Sequence, residues 1–483
     1  MRLDDLLARA GLSPTGSDAE IAGLTADSRQ VRPGFLFAAL PGTRADGARF
    51  VPDAVAAGAA AILAAPGTAV PAGTALIAEE DPRRALALLA AAFHGAQPET
   101  AVAITGTNGK TSTADFLRQL WTLDGKRAAS LGTLGLVAEG FPRGESLTTP
   151  DPVALHATMA ELARGGVTHL AMEASSHGLD QRRLDGVELA AAAFTNLTRD
   201  HLDYHGTMEA YRASKLRLFD TLLPEGAPAV AHAAMEAETL EAIRGIAGDR
   251  GLKLIEVGRD VRLMSHRALP AGQALGVDAF GTWAEVEIPV PGRFQADNAL
   301  VALALAIATG MDTARALALL PRLAPVRGRM ELAARLPNGS AVYVDYAHTP
   351  DALERLLDAL RPHVAEGAKL HALFGAGGDR DPGKRPLMGE AAARFADRIW
   401  ITDDNPRSED PAAIRAAVLA GAGDAAVDAG AREEAIAQAL AALGAGDVLA
   451  VAGKGHESGQ EIAGVKHPFD DVEVVRRLAG VAA

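Results

Sequence analysis

The chain has 483 residues, too many for one ordinary hydrophobic core, so two to four domains are expected and three fit best. A formal net charge of −14 argues against the basic face of a nucleic-acid scaffold, and zero cysteines exclude disulfides, thiolate nucleophiles and thiolate metal sites. Apolar runs such as Ala85–Phe93 stop far short of the roughly 18 residues a membrane-spanning helix needs, and the opening MRLDDLLARAG has no secretory h-region, so a cytoplasmic protein without membrane insertion is expected.

In chain order, apolar runs at Phe35–Leu40 and Ala59–Ala64, the turn-rich PGTRADG between them and a helix over Pro82–His94 predict a small α/β domain, residues 1–97. The run Ala101–Thr105 predicts a short buried strand leading into GTNGKTS, after which the chain turns helical with Phe116, Leu117, Leu120 and Trp121 on one face. Strands at His169–Met172 and Leu189–Phe194 continue a parallel sheet wrapped by helices, which makes residues 98–326 a central domain of P-loop ATPase type. Residues 327–483 then alternate AVYVDYA, PDALERLLDAL, LHALFGAGG, KRPLMGEAAARFA, RIWITDD and DVLAVAGKG, the pattern of a Rossmann-like, doubly wound α/β domain. Ligands of such sheets sit at the carboxyl ends of the strands, where Asp345, Asp379, Arg380, Asp404, Asn405, Lys454 and His456 fall.

The sharpest local signal is Gly106-Thr107-Asn108-Gly109-Lys110-Thr111-Ser112, between a predicted strand and a predicted helix. Glycines let backbone N–H groups curl around phosphate, the helix N-terminus adds positive charge, Lys110 reaches terminal phosphates and the Thr111 hydroxyl can ligate Mg²⁺. Ile104 stands where the usual P-loop has its first glycine. Glu173 in MEASSHGL and His201 in TNLTRDHLDYHG follow strands at the same sheet edge, one carboxylate and one imidazole suited to a Mg²⁺ beside phosphates. On periodicity alone Lys215 is a helix-surface lysine, Thr148-Thr149-Pro150-Asp151 is equally a helix cap, and Asn298 is equally a cap for the apolar helix that follows it.

The TGTNGKTS loop resembles that of the Mur ligase superfamily, and the resemblance runs along the whole chain. It implies an ATP-dependent ligase with ATP as co-substrate and two Mg²⁺ ions held by Thr111, Glu173, His201 and Lys215, the last as an N6-carboxylysine (carbamate). Lys110, Glu173, His201 and Lys215 are the catalytic positions it implies. The resemblance places the peptidyl sugar nucleotide on Ser28, Thr43, Arg44, Ala45, Thr148, Thr149, Ser175, Gln181 and Arg183. It places ATP on the loop together with Asn298 for adenine, Arg329 for phosphate and Asp345 for ribose, while Gln295 stands where most relatives have asparagine.

Asp404-Asn405-Pro406-Arg407 resembles the DNPR motif of the diaminopimelate-adding branch, with Arg380, Gly453 and Glu457 at accompanying positions. meso-Diaminopimelate differs from lysine by one carboxylate beside the distal amine, which an arginine fork holds bidentately while an acidic residue such as Glu457 pairs with the amine. The implied partners are small molecules: UDP-N-acetylmuramoyl-L-alanyl-D-glutamate, meso-diaminopimelate and ATP, acting on a monomer in peptidoglycan synthesis. A lysine-adding ligase, a folylpolyglutamate synthase-type ligase and a non-catalytic nucleotide-gated module remain alternatives at this point.

Overall fold

The structure is a computed structural model that describes residues 1–42, 46–142, 147–269, 272–423 and 426–481. It divides into two compact units, Met1–Val261 with Leu300–Ala316, and Arg262–Ala299 with Leu317–Ala483.

The first unit opens with a four-stranded parallel sheet in chain order: Gly23–Thr25, Phe35–Ala38, Ala61–Ala64 and Ala75–Ala78. Helix Pro82–His94 covers it, and its ends follow from local chemistry. Asp81 accepts a hydrogen bond from Arg84 N, proline fills the first turn where its missing N–H costs nothing, and Gly95 leaves the helix at φ 79°. Seven strands of a larger sheet follow in the order Lys253–Val257, Pro228–His232, Leu189–Phe194, Thr100–Thr105, His169–Glu173, Ala128–Gly132 and Gly135–Ala138. Only the last pair is antiparallel. The central strands are buried along almost their whole length, as expected of a parallel sheet covered on both faces. Phe116, Leu117, Leu120 and Trp121 are all buried on one side of helix Lys110–Leu123.

The second unit holds a six-stranded sheet in the order Glu331–Arg335, Ala341–Asp345, Val448–Ala452, Leu370–Phe374, Arg398–Thr402 and Ala426–Gly430. Its first pair is antiparallel and the rest parallel. Leu353, Leu356, Leu357 and Leu360 of helix Pro350–Leu360 are buried against it. This unit also contains the antiparallel pair Gly272–Ala279 and Thr282–Ile288 and a separate hairpin, Gly459–Ile462 with Val465–Pro468, none of which the apolar patterning suggested.

Candidate active site

In the first unit the phosphate loop leaves the carboxyl end of strand Thr100–Thr105 and enters helix Lys110–Leu123 through Gly109 at φ 86°. Gly106 lies at φ 141°, and a side chain there would run into the Thr195 hydroxyl. The loop is clamped by the segment after the neighbouring strand: Thr195 Oγ1 donates to Asn108 O at 2.6 Å, Asn108 N donates to Asn196 Oδ1 at 2.9 Å, and Thr107 N donates to Asn196 O at 2.8 Å. Thr195 and Asn196 escaped the sequence reading; TNLT, repeatedly hydroxylic and amidic directly after an apolar strand, was the available signal.

Lys110 Nζ donates to Gly106 O and Thr107 O at 3.0 and 2.8 Å. Lys215 is no surface lysine: it is 1% exposed, and its Nζ donates to the same Gly106 oxygen at 2.7 Å while lying 4.6 Å from the centroid of the Tyr211 ring. Burial, reinforced by the Lys110 charge, pulls its pKa well below the usual lysine value. Tyr211 in turn shares a 3.2 Å hydrogen bond with Thr107 Oγ1.

Glu173 lies beside Ile104 in the strand register, at the same edge as the loop. Its carboxylate accepts from Thr133 N at 2.7 Å and Thr133 Oγ1 at 3.2 Å. His201, in a left-handed conformation, packs its ring 5.0 Å from His177 and 6.0 Å from Tyr211. Burial lowers the pKa of both imidazoles. Among the described residues no three acidic or imidazole side chains gather closely enough to hold a metal ion. By donor type alone, Thr111 and Glu173 offer oxygen and His201 an imidazole, the ligands a hard cation takes, and a carbamate on Lys215 would add anionic oxygen beside the loop.

The peptidyl positions form one connected network. Thr149 Oγ1 donates to Glu173 O at 2.9 Å and accepts from Ser175 N at 3.0 Å. Arg183 donates to Thr149 O at 2.5 Å and to Gln181 Oε1 at 2.8 Å, and Thr148 Oγ1 meets Thr133 Oγ1 at 3.1 Å. Asp151 caps the helix after them through Val153 N and Ala154 N, so the capping role and the network coexist. Ser28 opens a short turn just past strand Gly23–Thr25, whereas Thr43, Arg44 and Ala45 lie outside the described residues.

In the second unit Asn298 does not cap a helix; the helix begins earlier, at Arg293, and Asn298 sits inside it. Its Nδ2 donates to Gln295 Oε1 at 3.0 Å, and Gln295 Nε2 donates to Arg329 O at 3.3 Å, so the departure at Gln295 orients Asn298 and ties it to the arginine. Arg329 lies over the Tyr346 ring at 4.7 Å. Asp345 accepts from Met330 N at 2.7 Å and Ala347 N at 2.8 Å.

The carboxyl ends of three parallel strands in this unit bring the remaining positions together. Arg407 donates to Gly378 O at 2.6 Å and lies 3.4 Å from Glu461. Its backbone, at φ 53°, is pinned to the hairpin by Arg407 N to Glu461 O at 3.0 Å and Ala463 N to Arg407 O at 2.7 Å. Asn405 donates to Glu457 Oε2 at 2.9 Å. Asp404 is buried, its Oδ2 has no hydrogen-bond partner among the described residues, and it is directed at Gly453, where any side chain would collide with it. Arg380 lies exposed beside Gly377, and Gly378 N donates to Asn405 O at 2.9 Å. The arrangement gathers a guanidinium, an amide and carboxylates at one edge of the sheet.

Three Mur ligase families match the chain: the catalytic domain at residues 20–94, the middle domain at 104–306 and the glutamate ligase domain at 328–455. The chain is 55% identical to the UDP-N-acetylmuramoyl-L-alanyl-D-glutamate--2,6-diaminopimelate ligase of Caulobacter vibrioides, covering 100% of this chain and 99% of that protein. A solved structure of a ligase of the same description is 33% identical with a TM-score of 0.72 and 99% of both chains covered. The MurF ligase of Thermotoga maritima, solved in complex with ADP, shares the fold at 18% identity and a TM-score of 0.60 over 95% of this chain and 97% of that one. With sequence, fold and loop in agreement from end to end, the chain belongs to the Mur ligase family.

Proposed function

We propose that this chain is an ATP-dependent acid–amino-acid ligase that adds meso-diaminopimelate to the D-glutamate γ-carboxylate of UDP-N-acetylmuramoyl-L-alanyl-D-glutamate, a step of peptidoglycan synthesis. The observation that carries the reading is identity of 55% with a diaminopimelate ligase over the entire chain. In this reading residues 1–97 hold the UDP moiety, 98–326 the ATP phosphates and the acceptor peptide, and 327–483 the incoming amino acid. The enzyme acts as a monomer in the cytoplasm on small-molecule substrates.

The γ-carboxylate attacks the γ-phosphorus of ATP, ADP leaves, and an acyl phosphate forms. The amine of diaminopimelate then attacks the acyl carbon, inorganic phosphate leaves with the bonding pair, and the nitrogen gives up its proton to form the amide. Lys110 moves from its loop carbonyls to the terminal phosphates, and the loop N–H groups cradle them, so catalysis is chiefly positioning and charge neutralisation. Thr111, Glu173, His201 and a carbamate on Lys215 would hold two Mg²⁺ ions, which would supply further neutralisation of phosphate charge. Thr149, Ser175, Gln181 and Arg183 orient the peptide whose carboxylate is activated.

The arginine pair and Glu457 favour diaminopimelate over lysine, because lysine brings no second carboxylate to the guanidinium groups. A folylpolyglutamate synthase-type activity lacks the support of the full-length relationship. Phosphate release that requires the sugar-nucleotide dipeptide and diaminopimelate together supports the reading; release with a folate and glutamate instead contradicts it.

A further inference from the structure

The turn Gly453-Lys454-Gly455 follows the buried strand Val448–Ala452, and both glycines have positive φ, 113° and 55°. A side chain at 455 would come within 2.7 Å of Tyr346 Cβ and 2.8 Å of Gly328 O, so the chain reverses here only because the glycines leave room. The reversal folds the Lys454 side chain inward, where it is 0% exposed. Its Nζ donates to Asn405 Oδ1 at 3.1 Å and to Glu457 Oε2 at 3.1 Å, and Asn405 Nδ2 donates to that same Oε2 at 2.9 Å. Asn405 Oδ1 also accepts from Glu461 N at 2.9 Å. One carboxylate oxygen of Glu457 is thus held by two donors, while the residue keeps a third of its side chain exposed.

We propose that Lys454 is a positioning residue for the incoming amino acid: enclosed and unable to touch it, the ammonium fixes the Glu457 carboxylate and the Asn405 amide so that Glu457 Oε1 faces the substrate ammonium. The proposal rests on the reading of this edge as the amino-acid pocket. A buried ammonium is held only by well-aligned acceptors, and its two acceptors here are both pocket residues. Charge alone works against binding, since Lys454 offsets the negative charge that attracts an amine. Loss of the lysine therefore has opposite signs under the two roles: tighter amine binding if it acts by charge, weaker if it acts by holding geometry.

The test measures KM for amino acid, ATP and sugar nucleotide in the full-length enzyme and in Lys454→Met and Lys454→Gln. The expected result is a rise in amino-acid KM of about 10- to 100-fold in K454M, the worth of charge-assisted hydrogen bonds, with the other two KM values unchanged and partial recovery in K454Q, whose amide still donates. Adding K454M to Glu457→Ala should then cost little beyond E457A alone. An unchanged or lowered amino-acid KM, a parallel rise in all three, full additivity with E457A, or failure of both variants to fold overturns the proposal. Wild-type enzyme run alongside with diaminopimelate and with L-lysine separates this from the substrate reading: if only lysine is used, that reading fails and Lys454 is judged on the KM for lysine.

Discussion

Lys110 and Lys215 donate to one and the same carbonyl oxygen, that of Gly106, at 3.0 and 2.7 Å. Two ammonium groups on one acceptor repel each other, and Lys215, the buried one, is where neutralisation is cheapest. A neutral amine beside the phosphate loop is the form that reacts with CO₂, so this contact links the fold of the loop to the carbamate chemistry proposed for Lys215.

Enzyme equilibrated with ¹³C-bicarbonate should show a carbamate carbonyl signal by NMR that is absent from Lys215→Arg. Lys215→Ala should lower kcat by about 10²-fold or more, the usual cost of removing a preorganised charge from such a site. Full turnover in K215A would contradict the assignment.

Arg407 is held in a left-handed conformation by the hairpin and donates to Gly378 O, so its guanidinium has one preferred direction. Arg407→Lys, which loses the fork, should cut kcat/KM for diaminopimelate by about 10- to 100-fold and leave the low activity with L-lysine almost unchanged. Equal losses with both amino acids would show that Arg407 is structural.

Gln295 holds Asn298 by one neutral hydrogen bond. Its replacement by alanine should raise the KM for ATP by up to about tenfold without altering the KM for diaminopimelate. An unchanged ATP KM would remove Asn298 from the nucleotide site.

His156 is 1% exposed, has no partner for Nε2 among the described residues, and its pKa is depressed to about 4 by burial, with the His94 charge adding to it. Its folded pKa lies below the unfolded value, so the unfolded chain binds more protons between pH 6.5 and 4 and stability falls as pH drops through that window. The contribution is on the order of 3 kcal/mol. His156→Leu should flatten the dependence of melting temperature on pH between 6.5 and 4, and an unaltered slope would refute the assignment.

Much of the fold was legible because local chemistry and burial agreed. The helices Pro82–His94 and Pro350–Leu360 and the strand Leu189–Phe194 have the bounds their patterns predict, the two helices set by an Asp or Thr cap before proline. The phosphate loop was legible because its residues are contiguous. Its clamp was not, since Thr195 and Asn196 reach Asn108 across 87 and 88 residues of chain. The helix start at Arg293 was missed because Gly292, at φ 86°, turns the chain without a capping side chain in the sequence. The hairpin that anchors Arg407 is short, and its Val465–Pro468 strand is fully exposed, which leaves no apolar alternation to read. Lys215 was legible only through the family resemblance, because helical periodicity does not encode which lysine the rest of the fold encloses.

The most direct test of the central claim supplies the purified chain with ATP, Mg²⁺ and UDP-N-acetylmuramoyl-L-alanyl-D-glutamate, offers meso-diaminopimelate and L-lysine in competition, and weighs the product by mass spectrometry. The account predicts a product heavier by one diaminopimelate residue and essentially none carrying lysine. A lysine-bearing product would contradict the arginine-based pocket, and no amide product with either would contradict the ligase reading itself.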